Sequence, residues 1–161
     1  MASSGDKTTA AVSQLRALDG RVRRFLGTTG VTALRVSLGV VFVWFGLLKI
    51  LDVSPVAGLV SRTVYWFDPD VVVSVLGIVE VAVGSLLVLN RFVRVALAIF
   101  AGQMIGTFLV FLILPNVVFR DGNPFLLTVE GEFVIKNLVL IAGAMVVGAR
   151  VRPIRATPHD R

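Results

Sequence analysis

The chain has 161 residues, of which 56% are hydrophobic and only 16% charged, where soluble domains carry about 45–50% and about 25%. That balance excludes a water-soluble globule of this size, whose greasy surface lipid must cover instead. There is no cysteine, and the single histidine, His159, stands in a polar tail; disulfides, thiol redox chemistry, iron–sulfur clusters and helix-borne haem ligation are excluded, and no metal site is expected. The net charge of +6 supports no nucleic-acid role beyond its sign.

Residues 1–30 are polar and basic. No cleavable signal peptide is expected, because the first apolar stretch begins after residue 30, is long enough to span, and is followed by no small-residue cleavage site. Val12, Leu15, Leu18, Val22 and Phe25 recur near helical spacing among Arg16, Arg21, Arg23 and Arg24. That pattern reads either as a basic amphipathic helix lying on the inner leaflet or as a disordered tail.

Four apolar stretches follow, over about residues 31–51, 71–89, 93–114 and 125–149. Each reaches the roughly 20 residues that carry a helix across a hydrocarbon core about 30 Å thick. With no water to satisfy backbone N–H and C=O groups there, each must be a helix. Ser54-Pro55 and Asp68-Pro69 each offer an N-cap followed by a proline suited to the first helical position. Between them, residues 55–67 read as a short interfacial helix ending in Tyr65-Trp66-Phe67, an aromatic cluster suited to the headgroup boundary. Asn90-Arg91-Phe92 is a tight link between antiparallel neighbours. Residues 115–123 form a loop, and Asn123-Pro124 is expected to cap the fourth span.

Twelve basic residues lie on one side: Lys7, Arg16, Arg21, Arg23, Arg24, Arg35, Arg91, Arg94, Arg150, Arg152, Arg155 and Arg161. The other side, with the half-helices next to it, holds four: Lys49, Arg62, Arg120 and Lys136. Positive loops stay in the cytoplasm. The expectation is an all-α integral membrane four-helix bundle of the inner membrane with both termini inside. Its parts are a basic segment over 1–30, the bundle over 31–150 and a basic tail over 151–161.

Each span carries a stripe of small and polar residues. Arg35, Gly39, Phe42, Gly46 and Lys49 share one face of the first. Gly77, Glu80 and Gly84 share a face of the second. Gly102 and Gly106 form GxxxG on the third beside Gln103 and Thr107, and Glu132, Lys136 and Gly143 align on the fourth. Small residues let helices approach and polar ones find partners across the gap, so the stripes are expected to line the bundle interior.

Charges within a span cost roughly 2.5–3.5 kcal/mol each on insertion scales and often mark function. By rise per residue, Glu80 lies roughly 13 Å, Gln103 roughly 16 Å and Lys136 about 7–16 Å below the outer ends of their helices. The expectation is a Glu80–Lys136 ion pair with Gln103 as neighbour. Glu130, Glu132 and Asn137 would rim it, and Lys49 with Asp52 would close the outer mouth. Structural readings stand beside these. Lys49 and Arg35 can snorkel, Glu132 and Lys136 form a helix-stabilising i, i+4 pair, and Glu80 is either a structural pair or a ligand or proton site. Trp44 and Phe45 could flank a flat ring such as a quinone, or simply pack.

The run LRVSLGVVFVWFGLLKI with Arg35, Gly39, Phe42, Gly46 and Lys49 resembles the DoxX-like family of small membrane proteins. So do GIVEVAVGSLLVL, with Glu80 and Gly84, and EGEFVIKNLVLIAGA, with Gly131, Glu132, Lys136 and Asn137. The resemblance spans about residues 31–150 and implies a four-helix membrane bundle. Some members are similar to subunits of quinone-linked oxidoreductases, others to accessory parts of oxidative-stress complexes. It supplies no catalytic set to carry over. With no covalently bound cofactor expected, a redox role would need a bound quinone or a partner subunit. The expected function is thus an accessory subunit of a quinone-linked or oxidative-stress system. The alternatives are a scaffold docking a membrane or cytoplasmic partner through its basic ends, and a small transporter, which would require a homo-oligomer.

Overall fold

The computed structural model describes residues 4–54, 57–63 and 67–151. All regular structure there is helical. The order is α1 (Ser4–Ile50), α2 (Ala57–Thr63), α3 (Pro69–Val88), α4 (Val93–Ile113), α5 (Pro115–Val118), a short 3₁₀ turn (Arg120–Gly122), α6 (Val129–Ile135) and α7 (Asn137–Ala149). Four helical stretches are long and apolar enough to cross a membrane, with α6 and α7 together forming the fourth. The expected four-helix membrane bundle is what the chain forms. One end of it holds Lys49, at the close of α1, and the other holds Arg35.

The helix boundaries follow from local chemistry. Asp68 caps α3, its Oδ1 accepting from the N–H groups of Asp70 and Val71, with Pro69 in the first turn. Asp68→Ala should cost about 1 kcal/mol, read as a lower melting temperature of the protein in lipid nanodiscs. At the other end of α3, Asn90 takes a left-handed φ of 55°. The N–H groups of Asn90 and Arg91 return to the carbonyls of Leu87 and Leu86, a closing turn that satisfies two orphan acceptors. This makes Asn90-Arg91-Phe92 the tight link expected. Asp52 closes α1 in the same way, with φ 56° and bonds from Asp52 and Val53 to Lys49 and Leu48.

Two boundaries differ from expectation. α1 does not begin after residue 30; it runs unbroken through Gly27-Thr28-Thr29-Gly30. The Thr28 and Thr29 hydroxyls donate back to the carbonyls of Arg24 and Phe25, so they add no unpaired polar group to the helix. The fourth span starts at Val129 and not near Phe125, because Thr128 is its cap, accepting from the Gly131 N–H while donating to the Val117 carbonyl. Asn123 instead accepts from the N–H of Phe125 in a local turn. Between the first two spans, the expected interfacial helix is described over Ala57–Thr63. Pro55, the Tyr65-Trp66 part of the aromatic cluster and tail residues 152–161 lie outside the described residues.

The main contact is between α1 and the antiparallel α3. Gly39 faces Gly84, and two turns along Gly46 faces Gly77. A Cβ on Gly46 would sit 2.6 Å from the Gly77 carbonyl oxygen, and one on Gly84 would sit 2.5 Å from that of Gly39. Only hydrogen side chains permit backbones this close. Gly143 of α7 seats against Leu34 and Leu38. The core follows, with Leu38, Phe42, Val83, Leu87, Phe100 and Met104 buried among α1, α3 and α4 and closed by Ala144 and Val147 of α7. The Phe42 and Phe100 rings meet at 5.1 Å. A second cluster of Leu59, Val110, Val118 and Val134 ties α2, α5 and α6 to the Lys49 end of α4.

Gly102 and Gly106 depart from the expected packing role. Both are exposed, and a Cβ at either would meet nothing within 4 Å. Gly102→Ala and Gly106→Ala should therefore leave the fold intact and raise stability by up to about 1 kcal/mol each through helix propensity, measured by the same melting experiment.

Candidate polar site at the Lys49 end

Side chains on a helix lean toward its N-terminus. Lys49 sits in the last turn of α1, so its stem leans back into the bundle. Glu80 lies on the antiparallel α3 and leans toward the Lys49 end. The two meet, with Lys49 Nζ 2.6 Å from Glu80 Oε2 and 2.8 Å from Oε1. Both side chains are more than nine-tenths buried. From α4, the Gln103 amide nitrogen donates to Glu80 Oε1, so the carboxylate is held from two helices. The other amide atom, Gln103 Oε1, is buried without a hydrogen-bond partner among the described residues.

Lys49 also forms one wall of a cavity of about 370 Å³ bounded by Asp52, Gly58, Pro69, Asp70, Val73 and Ser74. This cavity lies between the end of α1, α2 and the start of α3. It puts the ion pair one side chain away from a polar recess. Asp70 and Ser74 are members of that recess that the sequence did not single out. Their i, i+4 spacing at the start of the second span was the available signal.

At the Arg35 end, the Arg35 guanidinium donates to the carbonyl oxygens of Leu87 and Val88. It completes the C-terminus of α3 and places positive charge where the helix dipole is negative. Arg35 is thus a bound structural cation and not a snorkelling one.

The expected Glu80–Lys136 pair does not form. Lys136 on the fourth span leans toward the Lys49 end and pairs with Glu132 one turn away at 3.3 Å, both side chains more than half exposed. Its ammonium also stands 5.6 Å from the centre of the Phe133 ring. Glu130 and Glu132 face outward and do not rim the Glu80 cluster. Asn137 has a backbone task. Its amide donates to the carbonyls of Phe133 and Val134 where α6 gives way to α7 at Lys136. Trp44 is 64% exposed on a different face of α1 from Lys49 and does not flank the cluster. Of the expected site residues, the structure brings together Glu80, Gln103 and Lys49, with Asp52 at the mouth.

The model of the DoxX family matches residues 30–113, slightly more than half of the chain. The chain belongs to the DoxX family. The match covers all three members of the polar cluster and ends with α4, so the fourth span of this DoxX protein rests on its own hydropathy and fold. No curated protein matches the chain. No solved structure matches it either. Among the described residues, no group of three or more His, Asp or Glu side chains could hold a metal ion.

Proposed function

We propose that this DoxX-family chain is an accessory subunit of a quinone-linked membrane oxidoreductase or oxidative-stress system, with Lys49, Glu80 and Gln103 forming its ligand or proton site. The observation that carries this reading is the orphaned Gln103 Oε1 beside a buried ion pair. A buried acceptor without a partner costs free energy, and a ligand that donates to it removes that cost. A reduced quinone fits that need, since its hydroxyl can donate to Gln103 Oε1. Lys49, whose side chain borders the cavity, would donate to a ligand oxygen, and Glu80 would accept or hold a proton. The quinone would supply the two-electron chemistry, for which the described side chains offer no substitute.

The test is native mass spectrometry of the full chain from nanodiscs loaded with a short-chain quinol held reduced. Retention by the wild type, lost in Gln103→Leu and Glu80→Gln, is the expected result. Equal retention in wild type and variants, or none in any, would sink it. The proposal also places the Arg35 end and both termini in the cytoplasm of an inner membrane, from the distribution of basic residues. Reporter fusions at each terminus check that assignment.

A second reading is favoured by the long basic end of α1. A scaffold would need no ligand, and its buried pair would only fix helix register. Deleting residues 1–28 should then abolish capture of a cross-linked partner, and the wild type should retain no quinol.

A further inference from the structure

The back of α1 carries one uninterrupted exposed face from the aqueous extension into the membrane span. We infer that this face is an interface between two copies of the chain, packed in parallel along α1. The inference does not depend on the quinone reading.

α1 has 47 residues and at 1.5 Å per residue is about 70 Å long, more than twice the hydrocarbon thickness of about 30 Å. The extension therefore leaves the bilayer at the Arg35 end. Along it, Leu15, Leu18, Val22 and Phe25 are each more than half exposed. Their steps of three, four and three are those of a heptad seam. At 100° per residue the stripe continues through Thr29, Ala33 and Ser37, all exposed. These three small residues at four-residue spacing let a second helix come close. Further along the span the same face presents Val40, Trp44, Leu47 and Leu51, again exposed. Gly39, Gly46, Lys49 and Arg35 occupy the opposite side of α1, against α3.

Lipid can cover the half of this face within the membrane. It cannot cover the other half, because the helix is unbroken and runs away from the bilayer instead of turning along it. Four apolar side chains at roughly 60–120 Å² each offer roughly 250–500 Å² to water, as much as the largest patch most monomers leave exposed. With the intramembrane half, the face moves toward the roughly 800 Å² per partner of a stable interface.

A second copy is the occupant that fits. It enters the membrane with the same orientation, so its extension runs parallel and the two seams align in register under twofold symmetry. Charge agrees with this. Arg16, Arg23 and Arg24 stand roughly 100–160° around the helix from the stripe, and Asp19 pairs with Arg23 at 3.2 Å within its own helix. No arginine lies on the seam itself.

The chain has no cysteine, so single cysteines can be introduced one at a time into the full protein in membranes and oxidised. Leu18→Cys, Val22→Cys and Phe25→Cys should give a disulfide-linked dimer at least about tenfold more readily than Arg16→Cys, Gly20→Cys and Arg24→Cys, since only the seam positions bring two Cα atoms within bonding range. Adding Leu18→Asp to Val22→Cys should lower its yield several-fold while the protein remains membrane-inserted. Equal cross-linking at both sets, absence of dimer at the seam, or an unchanged yield with Leu18→Asp overturns the inference. So does a label at position 18 quenched by lipid-borne bromine without a dimer band, the sign of a stripe lying on the membrane.

Discussion

Lys49→Met and Glu80→Leu should each destabilise the bundle by about 3–5 kcal/mol, the range seen when one partner of a buried ion pair is removed. Reversible unfolding in mixed micelles would measure it. Each change strands a charge that is more than nine-tenths buried. The two costs should differ. Lys49 borders the polar cavity, so after loss of Glu80 its ammonium can turn into that recess, and Glu80→Leu belongs at the lower end. Glu80 sits mid-helix, away from the walls of that recess; without Lys49 it keeps, among the described residues, the Gln103 amide alone, and Lys49→Met belongs at the upper end. The double variant, with both charges gone and volume largely kept, should cost less than Glu80→Leu alone, so the cycle should show coupling of at least about 5 kcal/mol. Lys136→Met is the control. Among the described residues its amine pairs with exposed Glu132, away from the buried pair, so its loss should leave the Lys49–Glu80 coupling unchanged. Additive effects at Lys49 and Glu80, or a Lys136 variant as costly as either, would mean that the pair is not formed.

The contrast between Lys49 and Lys136 shows where sequence reasoning reached and where it stopped. Four spans were legible because backbone satisfaction in lipid forces helices, and composition marks their extent. Glycine stripes on the first two spans were legible because their period matches the helix. Depth alone then made Lys136 the natural partner of Glu80. What decides the pairing is side-chain lean, which follows from helix direction: α1 and α3 run oppositely, so Lys49 and Glu80 tilt toward each other. On the fourth span Lys136 tilts toward Glu132 at its own helix start. The same limit applies to Gly102 and Gly106. Spacing identifies a helix face suited to close packing, but not whether another helix of the chain reaches it. The extent of α1 was hidden for a different reason. Two glycines and two threonines read as a boundary, while threonine hydroxyls bonded back to Arg24 and Phe25 keep the helix intact.

Gly46→Val should be among the most damaging single substitutions in the span region. Its Cβ would lie 2.6 Å from the Gly77 carbonyl oxygen, 2.8 Å from the Val81 nitrogen and 2.9 Å from the Glu80 Cβ. None of these is the free end of a side chain, so α1 and α3 must part. Overpacking alone costs typically about 1–3 kcal/mol, and parting also lengthens the Lys49–Glu80 contact, whose loss adds to it. A total above about 3 kcal/mol is expected. Gly84→Val separates the two contributions. Its Cβ meets the Gly39 carbonyl oxygen at 2.5 Å and the Val43 nitrogen at 2.7 Å, an equally rigid clash near the Arg35 end. It should cost the overpacking and weaken the Arg35 cap on Leu87 and Val88, while the distant ion pair largely survives. A cycle of each glycine variant with Glu80→Leu distinguishes them. Gly46→Val should make Glu80→Leu nearly silent, whereas Gly84→Val should leave its effect in place. If both glycine variants melt like the wild type, the α1–α3 backbones do not approach this closely, and the register that sets Lys49 against Glu80 is wrong with them.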